Sequence, residues 1–112
     1  MIFFFTKEDC NVISVDWNKL AGPAPWYGVA MNNAKNVGAR TGDLLLFMMD
    51  KFGLSALDVH VIGWSLGGQL VAFIGQQTDG QLARITGLDP AGTGCLIWVG
   101  NFFRGNAQRF MT

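Results

Sequence analysis

The sequence holds one histidine, His60, and two distant cysteines, Cys10 and Cys95. One imidazole and two separated thiols make no metal-ligand set, so the residues call for no metal and no cofactor. Two cysteines do not build a disulfide framework either. Whether they pair is open, and the redox compartment stays undecided. Charge is scarce and balanced, with eight basic and eight acidic residues. There is no basic patch for nucleic acid and no charge block that would make a tail. Long apolar runs are missing, and no stretch reaches membrane-spanning length. Met1-Ile2-Phe3-Phe4-Phe5 is too short for a signal-peptide core; no basic region precedes it, and Lys7, Glu8 and Asp9 follow. Half of the 112 residues are nonetheless hydrophobic. A buried core is therefore expected, in one modest domain at most.

The rest of the chain is organised around Asp58-Val59-His60-Val61-Ile62-Gly63-Trp64-Ser65-Leu66-Gly67-Gly68. Val59 to Ile62 reads as a buried strand, and Leu66 opens an amphipathic helix. Between them lies Gly63-Trp64-Ser65-Leu66-Gly67, a G-x-S-x-G pattern in the strand-turn-helix context of a nucleophile elbow. Such a turn holds its serine in a strained conformation, with the hydroxyl clear of the sheet. Glycines two residues to either side let strand and helix approach without a Cβ clash. The residue after the serine, Leu66, offers its backbone N–H to an oxyanion hole. The bland alternative is an ordinary βα loop with a surface serine.

Taken in order, Asn11 to Val15 is rich in β-branched residues and reads as a strand, near 11–16, ending at Asp16-Trp17. Residues 18–27, with Gly22, Pro23 and Pro25, read as a loop. A long helix is expected over about 28–52. Ala30, Ala34, Val37, Thr41, Leu44, Leu45, Met48 and Phe52 fall at helical spacing there, with Lys51 in the last turn and Gly53 just past the end. Residues 54–57 connect it to the strand near 58–63. The helix after Ser65 runs to about Thr78, and Asp79-Gly80 ends it. Ala83 to Leu88 reads as a third strand closing at Asp89-Pro90-Ala91. The aromatic stretch from Leu96 to Phe103 gives no confident element. The fold class is α/β, with a parallel β-α-β-α-β core. Ligands of such sheets bind at the carboxyl ends of the strands. Asp16, Ser65 and Asp89 fall at that edge. The 58–63 strand is expected in the middle.

A serine hydroxyl needs a base to take its proton, and the base needs a carboxylate to orient it. Ser65 is the nucleophile candidate and Asp89 the carboxylate candidate. No histidine follows Asp89. His60 precedes Ser65 by five residues in one strand. At about 3.3 Å per residue, that puts it roughly 16 Å away, out of hydrogen-bond reach. It reads as a strand histidine with a local partner.

Four segments now add up to a resemblance: Asn11-Val-Ile-Ser-Val-Asp-Trp17, Asn36-Val-Gly-Ala-Arg40, Val59-His-Val-Ile-Gly-Trp-Ser-Leu-Gly-Gly68 and Arg84-Ile-Thr-Gly-Leu-Asp-Pro-Ala91. Together they resemble the secreted pancreatic-lipase-like family of triacylglycerol lipases, phospholipases A1 and insect lipase-like proteins. The resemblance implies an α/β-hydrolase fragment in which Ser65 is the nucleophile and Asp89 the triad acid. It also implies a lipid ester substrate, work at a lipid–water interface and an extracellular location. Three departures stand out. Trp64 occupies a place where the family usually has histidine. The family's H-G-F-like oxyanion segment lies upstream of anything present here. Its triad histidine lies downstream of Thr112. Residues 1–112 are thus expected to be a partial lipase domain, without the upstream oxyanion segment and the downstream histidine segment.

Three readings are open. One is a carboxylic ester hydrolase of lipids, another a non-catalytic lipase-like protein that binds lipid or serves storage. The third is a truncated chain with no function of its own.

Overall fold

The computed structural model describes residues 9–22 and 27–91. Its elements in order are α1 (Asn18–Ala21), α2 (Tyr27–Phe52), a 3-10 turn (Ala56–Asp58), β1 (His60–Trp64), α3 (Leu66–Gln77) and β2 (Arg84–Leu88). The strands pair in parallel, from His60 opposite Arg84 to Trp64 opposite Leu88. The expected strand–helix–strand unit is therefore present, with both strands placed within two residues of expectation.

Helix α3 is the centre of the packing. It lies on the sheet face that carries Val61, Gly63, Ile85 and Gly87, and its other side meets α2. Ala34 and Leu45 of α2, Leu70, Val71 and Ile74 of α3, Leu82, and Ile85 of β2 form one buried cluster. Trp17, Val37, Met49 and Val61 pack around it. The apolar spacing read along 28–52 explains part of this arrangement: Ala30, Ala34 and Leu45 are buried, but Leu44 and Phe52 are 45% and 74% exposed. The closest approach to α3 is made at Gly38 and Gly42, against Leu70, Phe73 and Gln77. Gly53 follows α2 at φ +68, as a C′ residue that ends a helix does. The end of α3 is closed by Thr78, fully buried, whose hydroxyl donates to the Ile74 carbonyl at 2.9 Å. Asp79 and Gly80 then turn the chain at positive φ.

The strand expected near 11–16 is not formed. Those residues are exposed and without regular structure, with Ile13 59% accessible. β-branched composition makes a strand only when a neighbour supplies the ladder. Among the described residues, β1 pairs with β2 alone. For the same reason, β1 is not seen in a central position. Asp16 ends no strand either. Its Oδ1 accepts the Asn18 N–H at 3.1 Å, at the entry to α1. This short helix occupies part of the expected 18–27 loop, and Asn33 ties it to α2 by donating to the Leu20 carbonyl at 2.9 Å. Cys95, the Leu96–Phe103 aromatics and Met1-Phe5 lie outside the described residues.

Candidate active site

Ser65 sits between the last residue of β1 and the first of α3, at φ 54 and ψ −120. This is the positive-φ conformation expected of the elbow, and for a residue with a Cβ it carries strain. A serine before a helix ordinarily turns its hydroxyl onto the first-turn amides. Here the side chain makes no capping bond. Leu66 opens the helix, so its N–H belongs to the first-turn amides that no intrahelical carbonyl reaches. A donor of that kind is what an oxyanion requires.

The tightness of the turn rests on one glycine rather than two. A Cβ at Gly63 would collide with the Gly67 carbonyl and come within 2.8 Å of Val71 Cγ1. A Cβ at Gly67 would meet nothing within 4 Å. Helix and strand therefore touch over Gly63. Gly67 contributes its backbone to that contact, not an absent side chain.

The end of β2 is fastened to the elbow. The Ser65 N–H donates to the Leu88 carbonyl at 2.9 Å, and the Ser65 carbonyl accepts the Ala91 N–H at 3.1 Å and the Gly68 N–H at 2.9 Å. The two bonds to Leu88 and Ala91 bracket Asp89, so nucleophile and acid candidates share the carboxyl edge of the parallel pair. Asp89 is exposed and itself adopts positive φ, 44°. The Pro90 ring fills the space over Gly68 and Gly87, 3.2 Å from the Cβ position of each. Gln69, buried to 2% accessibility, donates from Nε2 to the Ala91 carbonyl at 3.2 Å. Sequence reasoning passed over Gln69 and Ala91. The available signal was an amide inside Leu-Gly-Gly-Gln-Leu-Val-Ala-Phe-Ile, otherwise apolar or small.

His60 lies at the opposite end of β1 from Ser65. Its Nε2 bonds Thr86 Oγ1 across the strands at 2.8 Å. Partial burial, and next the charge of Arg84, push the imidazole below its ordinary value. It is a strand histidine with a local partner, as its spacing implied. Trp64 is 71% exposed, and with Ile62 and Leu88 it makes an apolar surface on the sheet face away from α3. Among the described residues, no group of three or more His, Cys, Asp or Glu is gathered as a metal site would be, and no helix is long and apolar enough to cross a membrane.

The chain is similar to known proteins over most of its length. The model of the family described as Lipase matches residues 3–95. The chain is 44% identical over 88 residues to pancreatic lipase-related protein 2 of Homo sapiens, covering 79% of this chain and 18% of that protein. It is 42% identical over 87 residues to the pancreatic triacylglycerol lipase of Homo sapiens, covering 78% and 18%. It is also 42% identical over 86 residues to the inactive pancreatic lipase-related protein 1 of Mus musculus, covering 77% and 18%. The chain thus spans under a fifth of the length of these relatives. A family match over most of the chain, on a strand–elbow–helix unit with an aspartate at the next strand's end, shows that this chain belongs to the lipase family.

Proposed function

We propose that the chain supplies the nucleophile and the acid of a serine ester hydrolase acting on lipids, of the triacylglycerol lipase or phospholipase A1 type. Residues 1–112 would form part of an α/β-hydrolase domain. The observation that carries the reading is the elbow: Ser65 at φ 54, its hydroxyl uninvolved in capping, its backbone bonded on both sides of Asp89. In the proposed reaction, an imidazole takes the Ser65 proton as Oγ attacks the ester carbonyl. Asp89 orients that imidazole and stabilises its charged form. The Leu66 N–H donates to the oxyanion. The substrate is presented at a lipid–water interface, with the protein acting outside the cell. No nucleic acid, metal or cofactor enters the scheme.

The imidazole is the part this chain does not hold. His60 is its one histidine and is bonded to Thr86. In the proposed enzyme the base comes from sequence downstream of Thr112, and the second oxyanion donor from sequence upstream. The same fact favours a second reading, a lipase-like protein that binds lipid without hydrolysing it.

One experiment separates the two. Cleavage of a short-chain ester is measured for the 112-residue chain and for the full-length gene product, each beside its Ser65→Ala variant. Loss of the base in a serine hydrolase lowers turnover about a millionfold, so the 112-residue chain should show no Ser65-dependent cleavage. The full-length product should show it. An inactive full-length product that contains the downstream histidine refutes the enzyme and favours the binding protein.

A further inference from the structure

We propose that Gln69 is a positioning residue for Asp89, holding the Asp89-Pro90-Ala91 turn against the elbow. This rests on the reading of Asp89 as the triad acid. Asp89 is exposed and stands at φ 44, a conformation that residues with a Cβ keep only when their surroundings over-determine it. The turn's backbone therefore sets the direction of its Cα–Cβ bond, from which the carboxylate reaches out. Three ties hold that turn. Two are backbone bonds, Ser65 N–H to the Leu88 carbonyl and Ala91 N–H to the Ser65 carbonyl. Any sequence could make them. The third, the Gln69 amide on the Ala91 carbonyl, is made by a side chain.

The chemistry of position 69 supports a dedicated role. Gln69 lies in the first turn of α3, 2% accessible, beside Leu70, Val71 and Ala72, which are all buried. An apolar side chain there would avoid the desolvation penalty of an amide. Other buried polar side chains of the described core bond elsewhere: Thr78 to its own helix at Ile74, and Thr86 to His60. Gln69 reaches out of α3 to the residue two beyond Asp89. Pro90, wedged over Gly68 and Gly87, limits the turn's remaining freedom. Releasing Ala91 lets Asp89 relax out of positive φ and carries its carboxylate away from the sheet edge it shares with Ser65.

Two variants of the full-length gene product test this, Gln69→Met and Gln69→Glu. Methionine keeps the length and removes the donor. Hydrogen exchange in the segment holding residues 88–91 should then quicken about tenfold, the effect of one lost hydrogen bond of about 1.4 kcal/mol. Protection in the 70–75 segment of α3 should hold. Ser65-dependent ester turnover should fall in kcat by a similar factor with KM unchanged. Glutamate gives the sharper signature. Ionised, it has no proton to donate to the Ala91 carbonyl; neutral, its O–H restores the bond. Relative to wild type at each pH, exchange at 88–91 should be fast near pH 8 and return toward normal near pH 5. A residue that merely fills space predicts a Gln69→Met variant indistinguishable from wild type and no pH-dependent rescue by glutamate. Either result overturns the proposal. Quickened exchange in a protein without Ser65-dependent turnover would keep the tether and refute the enzyme reading instead.

Discussion

The two glycines of the elbow should respond oppositely to the same substitution. At Gly63, an added Cβ runs into the Gly67 carbonyl and sits 2.8 Å from Val71 Cγ1. One obstacle is helix backbone, and the other belongs to a β-branched side chain only 3% accessible, with little rotamer freedom. Overpacking a filled site costs typically about 1–3 kcal/mol, and a backbone obstacle puts Gly63→Ala near the top of that range. At Gly67 the new methyl meets open space, inside a helix where alanine is favoured over glycine by about 0.5–1 kcal/mol. The two variants should therefore differ by about 3–4 kcal/mol, a large part of a total that is typically about 5–15 kcal/mol. The measurement is urea unfolding of the full-length gene product, comparing midpoints where the slopes agree. Gly63→Ala should unfold much earlier than wild type, and Gly67→Ala at or slightly after it. Equal midpoints, or a more damaging Gly67→Ala, would refute the close-approach argument.

Ser65→Gly should raise stability by about 1 kcal/mol in the same assay. It relieves about 1–3 kcal/mol of positive-φ strain and gives back about 0.5–1 kcal/mol in unfolded-chain entropy. Ser65→Ala keeps the strain and should not stabilise, so equal stability of the two variants would rule strain out. His60 predicts a pH dependence of melting. Burial and Arg84 hold its folded value below the ordinary 6.5 or so, so the unfolded chain takes up the proton first as pH falls. Stability should be level above about pH 7 and decline from about 6.5 down to the lower folded value, then level again. His60→Gln, which can still bond Thr86, should remove that decline; an unchanged profile would exclude His60 as its source. Finally, Ile62, Trp64 and Leu88 leave an apolar surface on a sheet that has only two strands among the described residues. Expressed alone, the 112-residue chain should bind the dye ANS and self-associate, and a monodisperse monomer with sharp unfolding would refute this.

The parts of this fold that were legible are those with local causes. The span of α2, the glycine after it and the strand–serine–helix run each follow from spacing within a few turns of chain, whereas which face of α2 meets α3 was only half readable, Leu44 and Phe52 being exposed. Pairing of Ser65 with the Asp89 turn was also readable, because two parallel strands joined by one helix bring their carboxyl ends together. Residues 11–16 failed for the opposite reason. A strand depends on what lies beside it, and Val12, Ile13 and Val15 carry the propensity but pair with no strand among the described residues. The unequal roles of Gly63 and Gly67 were hidden because spacing says nothing about which Cβ would collide. The Gln69 bond was hidden because an amide in an apolar helix announces a partner without naming it.

The short crossover between β1 and β2 bears on the order of assembly. Bringing chain ends together costs more entropy the longer the loop, and contacts close in sequence form sooner. Everything that joins Ser65 to Asp89 lies between His60 and Ala91: two strands, the helix linking them, and the bonds from Ser65 to Leu88 and Ala91. This pair is expected to be set early, while segments remote in sequence are still unplaced. A nascent chain would then carry Ser65 and Asp89 in register early, and in the proposed enzyme it would do so before any hydrolysis. On that proposal, activity would begin only when the remaining catalytic groups were placed, and its timing would be set by topology rather than by chemistry at the serine.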